Sequence, residues 1–153
     1  MSGQAEAESV VREWVSKAES DLLSAEHNLL LGDLAPTSIV CFHIQQAVEK
    51  YIKALLAYHG IDFPKTHDIS YLLSILPGNS QNLCMDEVTT EKLSYFAVSG
   101  RYPGFDVEPT AEEAQDLLRK ATAFKKAVRA VLPLSCLVPE KHCPQKNADE
   151  KEQ

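Results

Sequence analysis

Three polar residues in one strongly helical stretch could bind a phosphate or a nucleobase. Gln46, Lys50 and Lys53 are separated by four and three positions, so they would lie on one face of a helix. The glutamine amide could hydrogen-bond a base, and the two lysines could attract phosphate oxygens as point charges. The alternative is a solvated face, on which Glu49 pairs with Lys53 and stabilises the helix by only about 0.3–0.5 kcal/mol. From the sequence alone, the solvated face is the favoured interpretation.

A second set of candidates lies outside this helix, at His67, Arg101 and Tyr102. Arg101 stands in a loop rich in glycine and proline, where it could contact a ligand or a second subunit, and Tyr102 could stack on a base. The alternative is structural, with Arg101 capping the carboxyl end of a helix and Tyr102 closing one end of the fold. His67 precedes Asp68, which is sufficiently explained as a helix cap, and a single histidine there is more often structural than catalytic. All three remain candidates for nucleotide binding.

Helices must hold these side chains, because apolar residues recur at spacings of three and four along most of the chain. The stripe of the first predicted helix consists of Val11, Val15, Ala18, Leu22, Ala25 and Leu29. The pattern predicts helices over residues 8–31, 36–59, 69–76, 87–99 and 110–132. Short connections between long helices favour an up-and-down arrangement. We therefore predict an all-α, up-and-down bundle of four to five helices.

The ends of these helices carry recognisable signals. Gly32 and Gly60 can adopt the left-handed conformation that ends a helix, and Asp68 can cap the helix that follows it. Thr110 and Glu113 have the spacing of a capping box. The predicted bundle is one domain over residues 8–133, and the polar residues 134–153 are predicted to form a disordered tail.

The charge balance limits the ligands that the chain can bind. Fifteen lysines and arginines stand against 22 acidic residues, for a net charge of −7, which disfavours a broad nucleic-acid-binding surface. A local nucleotide pocket or a basic protein partner remains compatible with this charge. Because acidic and basic residues interrupt the apolar ones near the start, we expect no signal peptide, no membrane contact and a cytoplasmic location.

The four cysteines do not indicate a metal site or a disulfide framework. Cys41, Cys84, Cys136 and Cys143 are widely and irregularly spaced, and no Cys-x-x-Cys pair occurs. Buried or free thiols explain them best. Cys136 and Cys143 together with His142 could supply three metal ligands, but their place in the polar tail makes this the weaker interpretation. We predict neither a metal nor another cofactor.

The sequence resembles the HEPN domain family in fragments that occur in a fixed order. They are Trp14-(x)2-Lys17-Ala18-(x)2-Asp21-Leu22, Phe42-(x)2-Gln45-Gln46-Ala47-Val48-Glu49-Lys50-Tyr51-Ile52-Lys53-Ala54-Leu55-Leu56, Gly60, Thr66-His67-Asp68-Ile69-(x)2-Leu72-Leu73 and Arg101-Tyr102-Pro103. The resemblance covers about residues 8–132. It implies a bundle of four or five helices that is commonly dimeric. In the family that the chain resembles, some members are metal-independent RNases of toxin–antitoxin and defence systems, others are partners of minimal nucleotidyltransferases, and the domain has also been proposed to bind nucleotides. The fold is compatible with all of these roles and does not distinguish them.

The RNase members share an Arg-x4-6-His motif, which this sequence lacks. Counting from Arg101, the histidine should stand at Asp106, Val107 or Glu108, and no other arginine is followed by a histidine at that spacing. The two acidic side chains would also repel an RNA phosphate. We therefore predict a nucleotide- or partner-binding module associated with a nucleotidyltransferase or a toxin–antitoxin type system, and a homodimer. The alternative is an RNase toxin whose base is displaced, to His67 or to His43.

Overall fold

The computed structural model describes residues 2–83, 85–98, 103–104 and 108–144, with the side chains of residues 81 and 82 left out. These residues form five α-helices and no β-strand, which confirms the predicted all-α bundle. The α-helices are α1 (Ser2–Leu29), α2 (Thr37–Tyr58), α3 (Ile69–Ser74), α4 (Glu87–Phe96) and α5 (Ala111–Val131). Short 3₁₀ turns cover Gly32–Leu34, Gly78–Leu83 and Leu134–Cys136.

Helix α2 is the centre of the bundle, because α1, α4 and α5 all pack against it. Its sequence is apolar on almost every side, and a helix of that kind is stable only when it is buried. Thr37, Ser38 and Tyr58 are partly or fully exposed at the two ends of the helix. Between these ends, the stripe of positions that remain partly or fully exposed consists of Ile39, Phe42, His43, Gln46, Lys50 and Ala57. A polar group in the middle of α2 that contacts a ligand must therefore lie on or beside this stripe.

The signals at the helix ends act as predicted. Gly32 and Gly60 have φ angles of 59° and 65°, which only glycine adopts without strain. The carboxylate of Asp68 accepts a hydrogen bond from the backbone N–H of Tyr71 at 3.0 Å, and Thr110 and Glu113 form the complete capping box. Helix α1 differs from the prediction, since it begins at Ser2. Its first two turns are exposed and have no apolar stripe, so periodicity could not detect them.

Residues 134–144 pack along α1 instead of leaving the bundle. Cys136 is fully buried, and the carbonyl of Ser135 accepts a hydrogen bond from Arg12 on α1 at 2.5 Å. The predicted disorder of the tail thus does not extend to these residues, whose apolar side chains are too few to show a helical or strand period although Leu137 and Val138 pack against the core. We call residues 134–144 the C-terminal strap. The remainder of the predicted tail, residues 145–153, lies outside the described residues.

The three described cysteines, Cys41, Cys136 and Cys143, are free thiols, as predicted. Burial, with a smaller contribution from the charge of Glu113, raises the pKa of Cys41 to about 12. Burial also raises the pKa of Cys136. Neither thiol forms the reactive thiolate at neutral pH. No helix in the described part of the chain is both long enough and apolar enough to cross a membrane.

Candidate functional site

A buried carboxylate on α2 organises the polar face that the sequence singled out. Glu49 has a side chain only 4% exposed. One of its oxygens accepts hydrogen bonds from Gln45 Nε2 at 2.7 Å and His67 Nδ1 at 3.0 Å, and the other accepts from Lys53 Nζ at 2.6 Å. Gln46 joins through its amide, which donates to the Gln45 side-chain oxygen at 2.6 Å. We call these five residues the Glu49 cluster.

The turn before α3 positions His67 against this cluster. Gly60 begins the connection from α2, and Thr66 and Asp68 fix the backbone around His67, since the Asp68 N–H donates to Thr66 Oγ1 and the Asp68 carboxylate caps α3. The His67 side chain is 63% exposed although its partner is buried. An ionised carboxylate only accepts hydrogen bonds, so Nδ1 carries the proton and Nε2 is the acceptor of the neutral ring.

Two aromatic rings lie close to the Lys53 ammonium in addition to Glu49. Lys53 Nζ lies 5.6 Å from the ring centroid of Trp14 on α1 and 5.7 Å from that of Phe63. The two rings meet edge to face, with centroids 6.1 Å apart. The solvated-face interpretation was right about the Glu49–Lys53 pair and wrong about its surroundings, because the Lys53 side chain is only 10% exposed. Its charge is already satisfied by Glu49 and by cation–π contacts.

Lys50 belongs to a different group, on the side of α2 that faces α1. Its ammonium pairs with Asp21, whose other carboxylate oxygen lies 2.9 Å from His43 Nδ1. Of the predicted stripe, the structure therefore brings Gln46 and Lys53 together with His67, and places Lys50 in the Asp21 pair. Both lysines have carboxylate partners, so neither offers an unpaired charge to a phosphate.

Arg101 and Tyr102 lie outside the described residues, so the structure does not place them. The chain is described again at Glu108, one of the positions where the RNase motif would require a histidine. The Glu108 carboxylate accepts a hydrogen bond from Thr37 Oγ1 at 3.2 Å, at the beginning of α2. A carboxylate is favourable there because the amino end of a helix carries partial positive charge. This contact gives Glu108 a structural role.

A second buried group of charges was not predicted. Glu19 on α1 is 1% exposed, and its Oε1 accepts hydrogen bonds from Tyr51 Oη at 2.8 Å and Arg129 Nη1 at 3.0 Å. Lys125 Nζ lies 3.0 Å from Oε2 as an ion pair, without the angles of a hydrogen bond. Glu140 of the strap contacts both cations. We call these five residues the Glu19 cluster.

The sequence did contain a signal for this cluster. Glu19 stands four residues after Val15 and three before Leu22, so it interrupts the apolar stripe of α1. A charged residue within a buried stripe requires a buried partner. Burial, followed by the charge of Glu19, raises the pKa of Tyr51 far above its usual range, so its hydroxyl remains a hydrogen-bond donor.

No cluster in the described ranges has the three histidine, cysteine or acidic side chains that a metal ion would need. In the strap, Cys136 is buried in the core, whereas Cys143 Sγ lies 3.6 Å from His27 Nδ1 on α1. The three residues considered as a metal set are therefore not assembled into one.

Comparisons with known proteins agree with this architecture. The crystal structure of TT1696 from Thermus thermophilus is similar, with a TM-score of 0.65 and 27% sequence identity, over 80% of this chain and 98% of that one. The crystal structure of ST0689, an archaeal HEPN homologue, is similar with a TM-score of 0.58 and 27% identity, over 78% of this chain and 95% of that one. No curated protein matches the sequence significantly. The sequence profile of the HEPN domain matches residues 11–131, and the chain therefore belongs to the HEPN domain family.

Proposed function

We propose that this HEPN chain is a nucleotide- or partner-binding module, and that the Glu49 cluster with Trp14 is its nucleotide-binding face. The observation that carries the proposal is the orientation of His67, an exposed ring held by a buried carboxylate. Gln46 is partly exposed beside it and is held in turn by Gln45. Hydrogen-bonding groups whose partners are already fixed lose little freedom when a ligand binds.

The chemistry of this face favours the base and ribose of a nucleotide over its phosphates. Trp14 lines a surface pocket of about 220 Å³ together with Val10, Glu13 and Lys17. Its indole ring, which has Phe63 as an aromatic neighbour, offers a flat surface on which a base could stack. The nearby ammonium groups of Lys50 and Lys53 are paired with Asp21 and Glu49. Binding should therefore depend only weakly on salt, unlike binding through unpaired lysines to phosphates.

Titration of purified protein with nucleosides and nucleoside triphosphates tests the proposal. We expect His67→Ala and Gln46→Ala each to weaken binding about tenfold, because each removes a hydrogen bond worth roughly 1–1.5 kcal/mol. The matched control is His142→Ala, which removes an exposed histidine of the strap. Arg101→Ala and Tyr102→Ala in the same titration test the two candidates from the undescribed loop. Absence of binding by the unmodified chain, or equal affinity of His67→Ala, would remove the proposed site.

An RNase with a displaced base is the second candidate, and the His67–Glu49 pair favours it. A histidine whose Nδ1 is held by a carboxylate can accept a proton at Nε2, as a general base must. Incubation with tRNA and mRNA is the test. Cleavage that is lost in both His67→Ala and Arg101→Ala, but kept in His142→Ala, would establish the enzyme and reject a binding module without activity.

We also propose a homodimer that functions with a nucleotidyltransferase or within a toxin–antitoxin type system in the cytoplasm. Support for self-association comes from apolar side chains around the α1–α2 connection, where Leu30, Leu31, Leu34 and Ile39 are exposed. Light scattering on the purified chain tests the dimer. A nucleotidyltransferase reading frame beside the gene, co-purifying with this chain when both are expressed, would support the partnership.

A further inference from the structure

The outer part of the C-terminal strap, residues 139–144, places one carboxylate, that of Glu140, against two nearly buried cations. Glu140 Oε2 lies 3.2 Å from Lys125 Nζ, and Glu140 Oε1 lies 3.6 Å from Arg129 Nε. The side chains of both cations are almost buried, whereas that of Glu140 is 42% exposed. A carboxylate from the edge of the protein thus enters a site formed by two cations from its interior.

Without Glu140, the interior groups at this site would carry a net positive charge. Lys125 and Arg129 share a single interior carboxylate, that of Glu19, and Tyr51 contributes only a neutral hydroxyl. Two cations and one anion sum to one positive charge in a poorly solvated place. Such a charge requires an anionic partner, and Glu140 is the partner that the chain supplies.

The contacts of the strap would allow Glu140 to move away from the two cations without disturbing the core. Its inner part is anchored, since Cys136 is buried and the Val138 carbonyl accepts a hydrogen bond from Arg129 at 2.8 Å. Residues 139–144 bury no large apolar side chain. Besides the Glu140 ion pairs, a hydrogen bond from Lys141 to Ser20 at 2.9 Å and a contact between Cys143 and His27 at 3.6 Å hold them. Exposed contacts of this kind add little stability, so lifting residues 139–144 costs little once another anion has taken the place of Glu140 between the two cations.

We propose that Lys125 and Arg129 form a phosphate-binding site, and that Glu140 of the strap occupies it as a built-in competitor. The guanidinium of Arg129 and the ammonium of Lys125 suit a phosphate group, which carries more charge and more acceptor oxygens than the carboxylate it would displace. The neighbouring Lys125 ammonium holds the pKa of Glu140 below its usual range, so the competitor remains charged at neutral pH. The site lies in the Glu19 cluster and does not depend on the function proposed for the Glu49 cluster.

Titration with inorganic phosphate at constant ionic strength tests this site in the full chain. Glu140→Gln keeps the shape of the side chain and removes the competing charge, so we expect it to bind phosphate at least tenfold more tightly than the unmodified protein. Adding Lys125→Met to Glu140→Gln should abolish the gain. The matched control is Lys126→Gln, which removes an exposed lysine next to Lys125 on α5, outside both the strap and the cation pair, and should leave phosphate affinity unchanged. Equal affinities of the unmodified protein and Glu140→Gln would overturn the proposal and leave Glu140 as a structural ion pair.

A second measurement uses only the unmodified chain, so it tests displacement of Glu140 by phosphate even if a variant fails to fold. In the unmodified chain, NMR relaxation should show greater mobility of the backbone amides of residues 140–143 as phosphate replaces chloride, while the mobility of Leu137, whose N–H donates to the Leu134 carbonyl, should not change. Unchanged mobility throughout the strap at saturating phosphate would contradict displacement of Glu140. An increase that includes Leu137 would also contradict it, because it would indicate general loosening of the strap.

Discussion

Replacing Glu49 by glutamine is expected to lower the free energy of unfolding by about 3–5 kcal/mol. Three donors point at this buried carboxylate, from Gln45, Lys53 and His67. A glutamine offers one acceptor oxygen and turns an N–H₂ group towards the remaining donors. It also leaves the Lys53 charge buried without a counter-ion. Urea denaturation of both proteins at neutral pH measures the difference.

The double variant Glu49→Gln with Lys53→Met shows how much of the lost stability comes from leaving the Lys53 charge unpaired and how much from the altered side chain at position 49. Since methionine needs no counter-ion and packs well against Trp14 and Phe63, the double variant should recover at least half of the stability lost by Glu49→Gln. Additive losses in the two single variants would show that the ion pair is not the source of the effect.

Replacing Glu19 by glutamine should destabilise the protein by a similar amount, about 3–5 kcal/mol. Glu19 is the interior counter-ion of Lys125 and Arg129 and the acceptor for Tyr51. Without its charge, the two cations keep only the partly exposed Glu140. Thermal and urea unfolding monitored by circular dichroism would both report the change.

The control for this substitution is Glu13→Gln on the same helix. Glu13 is 68% exposed and pairs with Lys17 at 3.5 Å, so the loss of its charge should cost less than about 0.5 kcal/mol. A Glu19→Gln protein as stable as Glu13→Gln would mean that the buried charges are solvated and do not depend on one another.

The fold was predictable because its determinants are local. Apolar residues at spacings of three and four locate every long helix, and the caps at Asp68 and Thr110 need partners only three residues away. The predictions were wrong where the structure depends on contacts between distant parts of the chain or where a helix has no apolar stripe. The beginning of α1 has no apolar stripe, and the strap is held by Arg12 of α1, from the other end of the chain, and by Arg129 of α5, across the turn that follows that helix.

The candidate site was only partly predictable, for the same physical reason. Spacing on one helix correctly paired Glu49 with Lys53, but their burial depends on Trp14 of α1 and Phe63 of the next connection. The importance of Glu49 itself was missed, because its three donors include His67 from another element.

The sequence by itself determined the helices, their caps, the family and the absence of the standard RNase motif, since each of these depends on residue types at short spacing. Only the tertiary structure decided which charges are buried and with whom they pair. Lys50 and Lys53 are neighbours on one helix, yet one is paired with Asp21 and the other is enclosed by Glu49 and two aromatic rings. Pairing across helices depends on how the bundle closes, and the energy of a charge depends on what then covers it.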